Sequence, residues 1–151
     1  MADVHSKETR SKNMAAISGK DTKAELLIRK ALHRSGFRYR LHDKNLPGKP
    51  DMVFSKHKAV IFVNGCFWHR HDCHLFKWPS TRKEFWRAKI EGNRVRDIMA
   101  IEQLKLAGWR VLTIWECSLK GKSRLPEDVL ISRVSSWIGG DTDEQEVQGE
   151  D

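Results

Sequence analysis

The stretch "AVIFVNGCFWHRHDCH", residues 59–74, joins a short apolar run to a group of cysteines, histidines and aromatic residues. Its first five residues are apolar and rich in β-branched side chains, which predicts a buried strand over residues 59–63. The remainder contains two cysteines, three histidines and a Phe-Trp pair. The stretch therefore predicts a strand that is followed directly by side chains suited to metal binding and catalysis.

Further helices and strands are predicted on both sides of this strand. Thr22 and Glu25 form a capping box that opens a helix, and Gly36 ends it. Gly92 and Asn93 predict an interruption in a long second helix. The predicted strands cover residues 37–41, 52–54, 59–63 and 109–117, and the predicted helices cover residues 22–36, 81–108 and 127–138. This order predicts an α/β fold with a central mixed β-sheet of about four strands flanked by helices.

The charge distribution favours a polyanionic partner. The chain of 151 residues carries a formal net charge of +8, and residues 141–151 contain six acids and no base. The rest of the chain is therefore more basic than the whole, as in many nucleic-acid-binding proteins. We predict an N-terminal arm over residues 1–20 that contacts the partner, one domain over residues 21–140 and a disordered acidic tail over residues 141–151.

Hydropathy and cysteine content indicate a cytoplasmic protein. The longest apolar run, residues 59–63, is far too short to cross a bilayer, and residues 1–12 lack the apolar stretch of a secretory signal. The three cysteines are an odd number. Metal binding or free thiols are their expected uses in a reducing compartment.

The cysteines and nearby histidines have the composition of a structural zinc site. Cys66, Cys73 and Cys117 with one histidine would make a Cys3His set. Spacing does not choose the fourth ligand, because three histidines are within reach: His69, His71 and His74. Two imidazoles would stay free, and one of them could take a proton from water. Alternatively, the cysteines pack as small hydrophobic residues.

One acid and three aromatic residues complete the candidate site. Asp51 follows Pro50 at the start of a predicted strand, and carboxylate oxygens are ligands that Mg²⁺ prefers. Phe67, Trp68 and Trp86 could pack in the core or stack on nucleic-acid bases. Stacked rings can offset the cost of opening a base step, which is lowest at a mismatch.

Five sequence blocks together resemble the very-short-patch repair endonucleases, bacterial mismatch nickases related to the PD-(D/E)xK nucleases. The blocks are "HSKETRSKNM" (5–14), "LPGKPDMVF" (46–54), "VIFVNGCFWHRHDC" (60–73), "TRKEFW" (81–86) and "GWRVLTIWEC" (108–117). The resemblance implies a PD-(D/E)xK endonuclease-like core and a Mg²⁺-dependent nick 5′ of the T in a T:G mismatch. Such mismatches arise when 5-methylcytosine deaminates. The resemblance also implies a functional link to a cytosine-5 methyltransferase, possible mismatch-repair accessory proteins, and a monomer acting at the bacterial nucleoid.

The resemblance also implies roles for individual residues. Asp51 resembles the metal-binding carboxylate and His69 the general base. The residues that resemble zinc ligands are Cys66, His71, Cys73 and Cys117. The residues that resemble the aromatic wedge of the family are Phe67, Trp68 and Trp86, with Met14 as their counterpart from the N-terminal arm.

At two positions the chain departs from the family pattern, which has Thr-His where this chain has Val63-Asn64. Val63 can still bind Mg²⁺ through its backbone carbonyl. Asn64 can form hydrogen bonds but cannot change charge near neutral pH. Glu25 resembles a residue that holds an outer-sphere water, although its place in the capping box explains it equally well.

Two other classes of function fit some of these residues. A zinc-stabilised DNA-binding module without catalysis would use the cysteines, the charge and the aromatic residues, but would have no use for Asp51 and His69. A thiol enzyme would use Cys66 or Cys73 as its nucleophile.

Overall fold

The computed structural model describes residues 22–150. Met14 and the rest of the predicted N-terminal arm, residues 1–20, lie outside the described residues. The α-helices are α1 (Lys23–Arg34), α2 (Lys83–Leu106) and α3 (Glu127–Ile138), and the strands are β1 (Arg40–Leu41), β2 (Met52–Phe54), β3 (Ala59–Asn64), β4 (Arg110–Trp115) and β5 (Glu146–Val147). Within the described residues, no helix has both the length and the apolar character needed to cross a bilayer.

The strands form one mixed sheet in the order β1-β2-β3-β4-β5. β2 is antiparallel to both β1 and β3, whereas β4 is parallel to both β3 and β5. Parallel neighbours need a crossover connection, and α2 and α3 supply the two that are required. The predicted mixed α/β architecture is therefore confirmed, with five strands instead of about four.

The additional strand β5 lies in the acidic segment that the sequence predicted to be disordered. Val147 is fully buried and pairs with Ile114 in the parallel register. Arg133 of α3 contacts Glu144 at 2.7 Å and Glu150 at 3.3 Å. One buried apolar side chain and two ion pairs thus dock the segment on the sheet, which corrects the prediction of disorder over residues 141–151 for its described part.

Helices cover both faces of the sheet. α1 and α3 pack on one face, where Ile28 and Trp137 join a buried cluster with side chains of β2, β3 and β4. α2 packs on the other face, where Leu104 joins Val60 and Val111. Because both faces are covered, the central strands are apolar nearly throughout, as the run at residues 59–63 suggested.

A side-chain cap marks the start of α1, whereas α2 begins without one. The Thr22 hydroxyl caps α1 by accepting the N–H of Glu25 at 3.2 Å. α2 begins at Lys83 without a side-chain cap and continues for 24 residues through Gly92 and Asn93. A glycine in a helix costs only about 1 kcal/mol, and α2 buries Ile90 and Leu104 fully. The buried contacts of α2 therefore outweigh the cost of Gly92, and the interruption predicted at Gly92 and Asn93 is wrong.

The antiparallel register of β2 and β3 brings Asp51 to the end of β3. Met52 pairs with Ile61, so the residue before Met52 lies beside residues 62 and 63. The carboxylate Oδ2 of Asp51 accepts the backbone N–H of Val63 at 2.7 Å. The start of β2 and the end of β3 therefore meet.

The parallel register of β3 and β4 brings two cysteines together from distant parts of the chain. Asn64 pairs with Trp115, the last residue of each strand. Cys66 and Cys117 each follow their strand by two residues. The loop after β3 and the turn after β4 therefore leave the sheet at the same edge, where parallel strands place their carboxyl ends.

Candidate active site and metal cluster

A cavity of about 620 Å³ opens at this edge of the sheet. Four of the predicted site residues line it: Asp51, Val63, Asn64 and His69. Side chains that the sequence analysis did not select also line it, among them His42, Asp97 and the basic residues Lys44 and Lys49. The cavity therefore combines carboxylates, imidazoles and ammonium groups in a space that can admit a small anionic group.

Asp51 is the carboxylate whose titration the cavity alters most clearly. Burial raises the pKa of Asp51 from 3.8 to about 7; the hydrogen bond from Val63 opposes this shift, and the Glu25 carboxylate adds to it. An ionised carboxylate in this position lacks enough positive charge nearby to balance it. A divalent cation beside Asp51 would supply that charge.

Glu25, predicted as either a helix cap or a site residue, has its carboxylate in the site. Only 2% of Glu25 is exposed, and its two oxygens lie 3.0 and 2.9 Å from Nε2 of His42. One ligand atom from each of Glu25, His42 and Asp51 can be chosen so that all lie within 4.8 Å of one another, and such a group could hold a metal ion. The backbone of Glu25 serves the cap while its side chain serves the site.

His69 is paired with Asp97 of α2. The Nδ1 atom of His69 lies 2.5 Å from Oδ2 of Asp97, and both side chains are partly exposed. If Nδ1–H donates this bond, the lone pair lies on Nε2, the other ring nitrogen. A carboxylate that orients an imidazole in this way is the arrangement expected of a general base.

The second candidate metal group joins the loop after β3 to the turn after β4. One ligand atom from each of its members lies within 4.8 Å of the others: Cys66, His71, Cys73 and Cys117. Nδ1 of His71 is 3.6 Å from the Cys66 sulfur and 3.5 Å from the Cys117 sulfur. Bonds of ~2.3 Å to sulfur and ~2.0 Å to nitrogen around a tetrahedral ion imply nearly this separation, about 3.5 Å. The residues therefore fit a metal of tetrahedral preference.

The geometry also distinguishes the three histidines that spacing left equivalent. His71 faces two of the cysteines, is only 8% exposed and stacks on Trp115 at 4.2 Å. His69 faces Asp97, and Nδ1 of His74 lies 3.5 Å from the Ser123 hydroxyl. Of these three, His71 alone belongs to the metal group.

The environments of Cys66 and Cys117 do not favour a cysteine nucleophile. Burial raises the pKa of Cys66 well above the ordinary thiol value, and burial also raises the pKa of Cys117. Catalytic cysteines need a lowered pKa and a partly exposed sulfur, whereas Cys66 and Cys117 are buried. Metal coordination, which deprotonates a thiol, is the use that fits these residues.

The three predicted wedge residues contact one another. The ring centroids of Phe67 and Trp86 are 5.6 Å apart, and those of Trp68 and Trp86 are 5.8 Å apart. All three side chains are half-buried, so part of each ring faces solvent. Asn93 of α2 donates its side-chain N–H to the carbonyl of Trp68 at 2.9 Å. This bond ties the loop that carries Phe67 and Trp68, here called the aromatic loop, to the helix.

Sequence reasoning missed His42, Asp97 and Asn93. His42 had a usable signal, because it lies opposite Asp51 where β1 and β2 pair and donates its backbone N–H to the Asp51 carbonyl. Asp97 is 28 residues from His69, and nothing in its local sequence marks it. Asn93 follows Gly92, and this pair predicts a helix interruption, not a contact with the aromatic residues.

Comparison with known proteins identifies the class of molecule. A family model described as DNA mismatch endonuclease Vsr matches residues 2–75. The DNA mismatch endonuclease Vsr of Escherichia coli (strain K12) is 49% identical over 141 residues, which cover 93% of this chain and 90% of the relative. The Type II nicking enzyme V.NmeAIP of Neisseria meningitidis serogroup A is 45% identical, over 82% of this chain and 88% of the relative.

A second nicking enzyme, V.XorIIP of Xanthomonas oryzae pv. oryzae, is 44% identical over 79% of this chain and 88% of its own length. With relatives of this similarity, the chain is a DNA endonuclease. Within that class, it belongs to the DNA mismatch endonuclease Vsr family.

Proposed function

We propose that this endonuclease nicks one DNA strand on the 5′ side of the T in a T:G mismatch, using Mg²⁺ and leaving a 5′-phosphate and a 3′-hydroxyl. The observation that carries the proposal is the cavity lined jointly by Asp51 and His69. A metal-binding carboxylate and an oriented imidazole in one cavity are what hydrolysis of a phosphodiester needs. Lys44 and Lys49 in the same lining favour a phosphate.

In this proposal Asp51 and the Val63 carbonyl hold the cation at the end of a PD-(D/E)xK-type core. The raised pKa of Asp51 supports the assignment, because burial and the nearby Glu25 leave its charge unbalanced. When bound, Mg²⁺ supplies positive charge that polarises the phosphate and stabilises the leaving oxygen. Glu25 and Asn64, both buried beside Asp51 or in the cavity lining, would position water through hydrogen bonds.

His69 acts as the general base. Asp97 accepts the Nδ1–H of His69 and so keeps the lone pair on Nε2, which takes a proton from the attacking water. Asn64 carries no part of the proton transfer, because an amide does not change charge near neutral pH. General-base assistance of this kind is worth ~10²–10⁴ in rate.

We also propose that Cys66, His71, Cys73 and Cys117 hold a structural Zn²⁺. Three thiolates and one imidazole form a closed tetrahedral set, with no position open for substrate. This ion would fix the loop that carries Phe67 and Trp68, so that these rings and Trp86 enter the DNA as a wedge at the mismatch. The aromatic rings would enter from the major groove, and Met14 would contact the DNA from the minor groove.

We also propose a cellular origin for the substrate, together with the partners, oligomeric state and location of the enzyme. The T:G substrate would arise by deamination of 5-methylcytosine, which links the enzyme to a cytosine-5 methyltransferase and to mismatch-repair accessory proteins. A nick in one strand requires only one active site, so a monomer suffices. The site of action would be the bacterial cytoplasm, at the nucleoid.

A nicking assay on short labelled duplexes tests the proposal. The wild-type enzyme should cut the T strand of a T:G duplex only when Mg²⁺ is added, and should cut the T:A duplex far more slowly. Asp51→Ala should keep DNA binding and lose nicking, and His69→Ala should nick ~10²–10⁴ times more slowly. Asp143→Ala, which removes an exposed carboxylate, is the matched control and should behave as wild type.

Two results would contradict the proposal. Equal nicking of T:G and T:A duplexes would refute mismatch specificity. Undiminished nicking by Asp51→Ala, with control and variant equally folded, would refute the metal-binding role of Asp51.

A further inference from the structure

The C-terminal segment returns to the Cys/His metal group after β5. Val147 pairs with the end of β4, and Gln148 and Gly149 then contact two members of that group, His71 and Cys117. These contacts join residues that are 77 and 32 positions apart in the chain. Gln148 and Gly149, here called the C-terminal strap, therefore lie directly against the proposed zinc ligands.

Gln148 determines which nitrogen of His71 can bind a metal. Its side-chain oxygen Oε1 lies 2.8 Å from Nε2 of His71. An amide oxygen only accepts hydrogen bonds, so it requires the proton of the neutral imidazole to be on Nε2. Nδ1 then carries the lone pair, and Nδ1 is the nitrogen 3.6 and 3.5 Å from the sulfurs of Cys66 and Cys117.

Gly149 contacts the sulfur of Cys117. The backbone N–H of Gly149 donates to this sulfur at 3.3 Å. Three thiolates and one neutral imidazole around a divalent ion leave an excess negative charge, and an N–H donor aimed at a sulfur stabilises that charge. The Gly149 amide therefore acts on the metal group independently of Gln148.

The strap position has room only for glycine at residue 149. A Cβ placed on Gly149 would lie 2.5 Å from the carbonyl oxygen of Cys117 and 2.7 Å from that of Ser123. Both are backbone atoms and cannot swing away as a flexible side chain can. Any side chain at residue 149 must therefore push the strap off the metal group.

Other contacts hold the strap in place on both sides. Glu146 accepts the indole N–H of Trp115 at 3.1 Å, the residue on which His71 stacks. The backbone N–H of Glu150 donates to the Ser123 carbonyl at 2.8 Å. The strap is thus fixed before and after the two residues that contact the ligands.

We propose that the C-terminal strap positions His71 and Cys117 and retains the structural zinc ion, with Gln148 selecting the metal-binding tautomer of His71. The inference rests on the proposed zinc site. Gln148 and Gly149 are positioning residues, because each acts through a ligand and neither binds the metal. Groups that orient metal ligands in this way commonly change metal affinity by ~10–100-fold.

Zinc transfer from the full-length, zinc-loaded protein to a coloured chelator tests the proposal. Gln148→Ala should release zinc ~10–100 times faster than wild type. Gln148→Glu keeps an acceptor for Nε2–H and should restore slow release. The matched control is Gln145→Ala, since Gln145 has the same side chain in the same segment but contacts Lys105 at the surface.

Two further readouts separate positioning from a general loss of structure. Nitrogen-15 NMR of the His71 ring should show the Nε2–H tautomer in wild type and Gln148→Glu, and a changed Nε2 signal in Gln148→Ala. Gly149→Ala should also release zinc faster and change the Nε2 signal, because a Cβ at residue 149 pushes the whole strap, Gln148 included, off the metal group.

The outcomes distinguish this inference from the proposed function. A wild-type protein purified without about one equivalent of zinc would refute the zinc site and the strap together. If wild type contains zinc, and Gln148→Ala and Gly149→Ala release it no faster than wild type does, the role of the strap is refuted while the zinc site is not.

Discussion

At the scale of single residues, Asp51 has a buried carboxylate that lowers the stability of the folded protein when it is ionised. Its carboxylate is buried beside that of Glu25, and burial raises its pKa to about 7. Because this value lies above the ordinary 3.8, the folded state binds a proton more tightly than the unfolded chain. Stability of the protein without added Mg²⁺ should therefore fall as the pH rises through the window from about 4 to 7.

This sign predicts that Asp51→Asn stabilises the protein near neutral pH. Asparagine keeps an oxygen to accept the Val63 N–H and never ionises. Relative to wild type, the free energy of unfolding of the variant should rise by about 4 kcal/mol between pH 4 and pH 8, since each pKa unit corresponds to about 1.4 kcal/mol. Urea unfolding of the zinc-loaded proteins without Mg²⁺ measures the difference, with Asp143→Asn as control. Parallel pH profiles for wild type and Asp51→Asn would contradict the prediction.

At the scale of elements, α2 presents one stripe of side chains that contact the candidate site. Trp86, Asn93 and Asp97 are seven and four residues apart, a spacing that places them on one helix face. The stripe contacts the aromatic loop, its Trp68 carbonyl and His69. A break at Gly92 and Asn93 would have separated these contacts, so the continuity of the helix is a condition of the site.

Asn93→Ala should weaken mismatch preference without weakening the helix. The change removes the hydrogen bond to the Trp68 carbonyl, worth about 1 kcal/mol, while alanine has the higher helix propensity. We expect the ratio of T:G to T:A nicking to fall about fivefold, with an unchanged melting temperature. Gln103→Ala, at an exposed position of the same helix, should change neither. An unaltered ratio in Asn93→Ala would show that this contact does not position the wedge.

At the scale of the whole molecule, the Cys/His group joins three parts of the fold. The loop after β3 supplies Cys66, His71 and Cys73, the turn after β4 supplies Cys117, and the strap after β5 contacts two of these ligands. Apparent zinc binding of ~10–16 kcal/mol is as large as the ~5–15 kcal/mol stability of a typical domain. The proposed ion therefore accounts for much of the stability at this edge of the sheet.

Removal of zinc should consequently lower the melting temperature by more than ten degrees, since ~1 kcal/mol corresponds to about 2–4 °C in a domain of this size. Circular dichroism before and after treatment with a strong chelator measures the shift, and tryptophan fluorescence should report the loss of the Trp115 stack on His71. Added Zn²⁺ should restore the original transition, whereas Mg²⁺ should not. A metal-free protein that melts at the original temperature would contradict a structural role.

Much of the fold follows from local sequence. The apolar runs and caps predicted α1, α3, β2, β3 and β4 to within a few residues, because a strand or helix that faces the core shows this in its own periodicity. β5 escaped prediction because a single buried residue, Val147, carries its packing within an acidic segment. The charges around Val147 predict a solvent-exposed segment, but pairing with Ile114 at the edge of the sheet buries Val147.

By itself, the sequence determined the kinds of chemistry present: thiols, imidazoles, a carboxylate after a proline, and aromatic residues beside them. The tertiary structure alone decided the partners. His69 meets Asp97 across 28 residues, and His71 meets Gln148 across 77. The physical reason is that hydrogen-bond partners so distant in the chain are set by strand register and helix packing, which local periodicity does not encode.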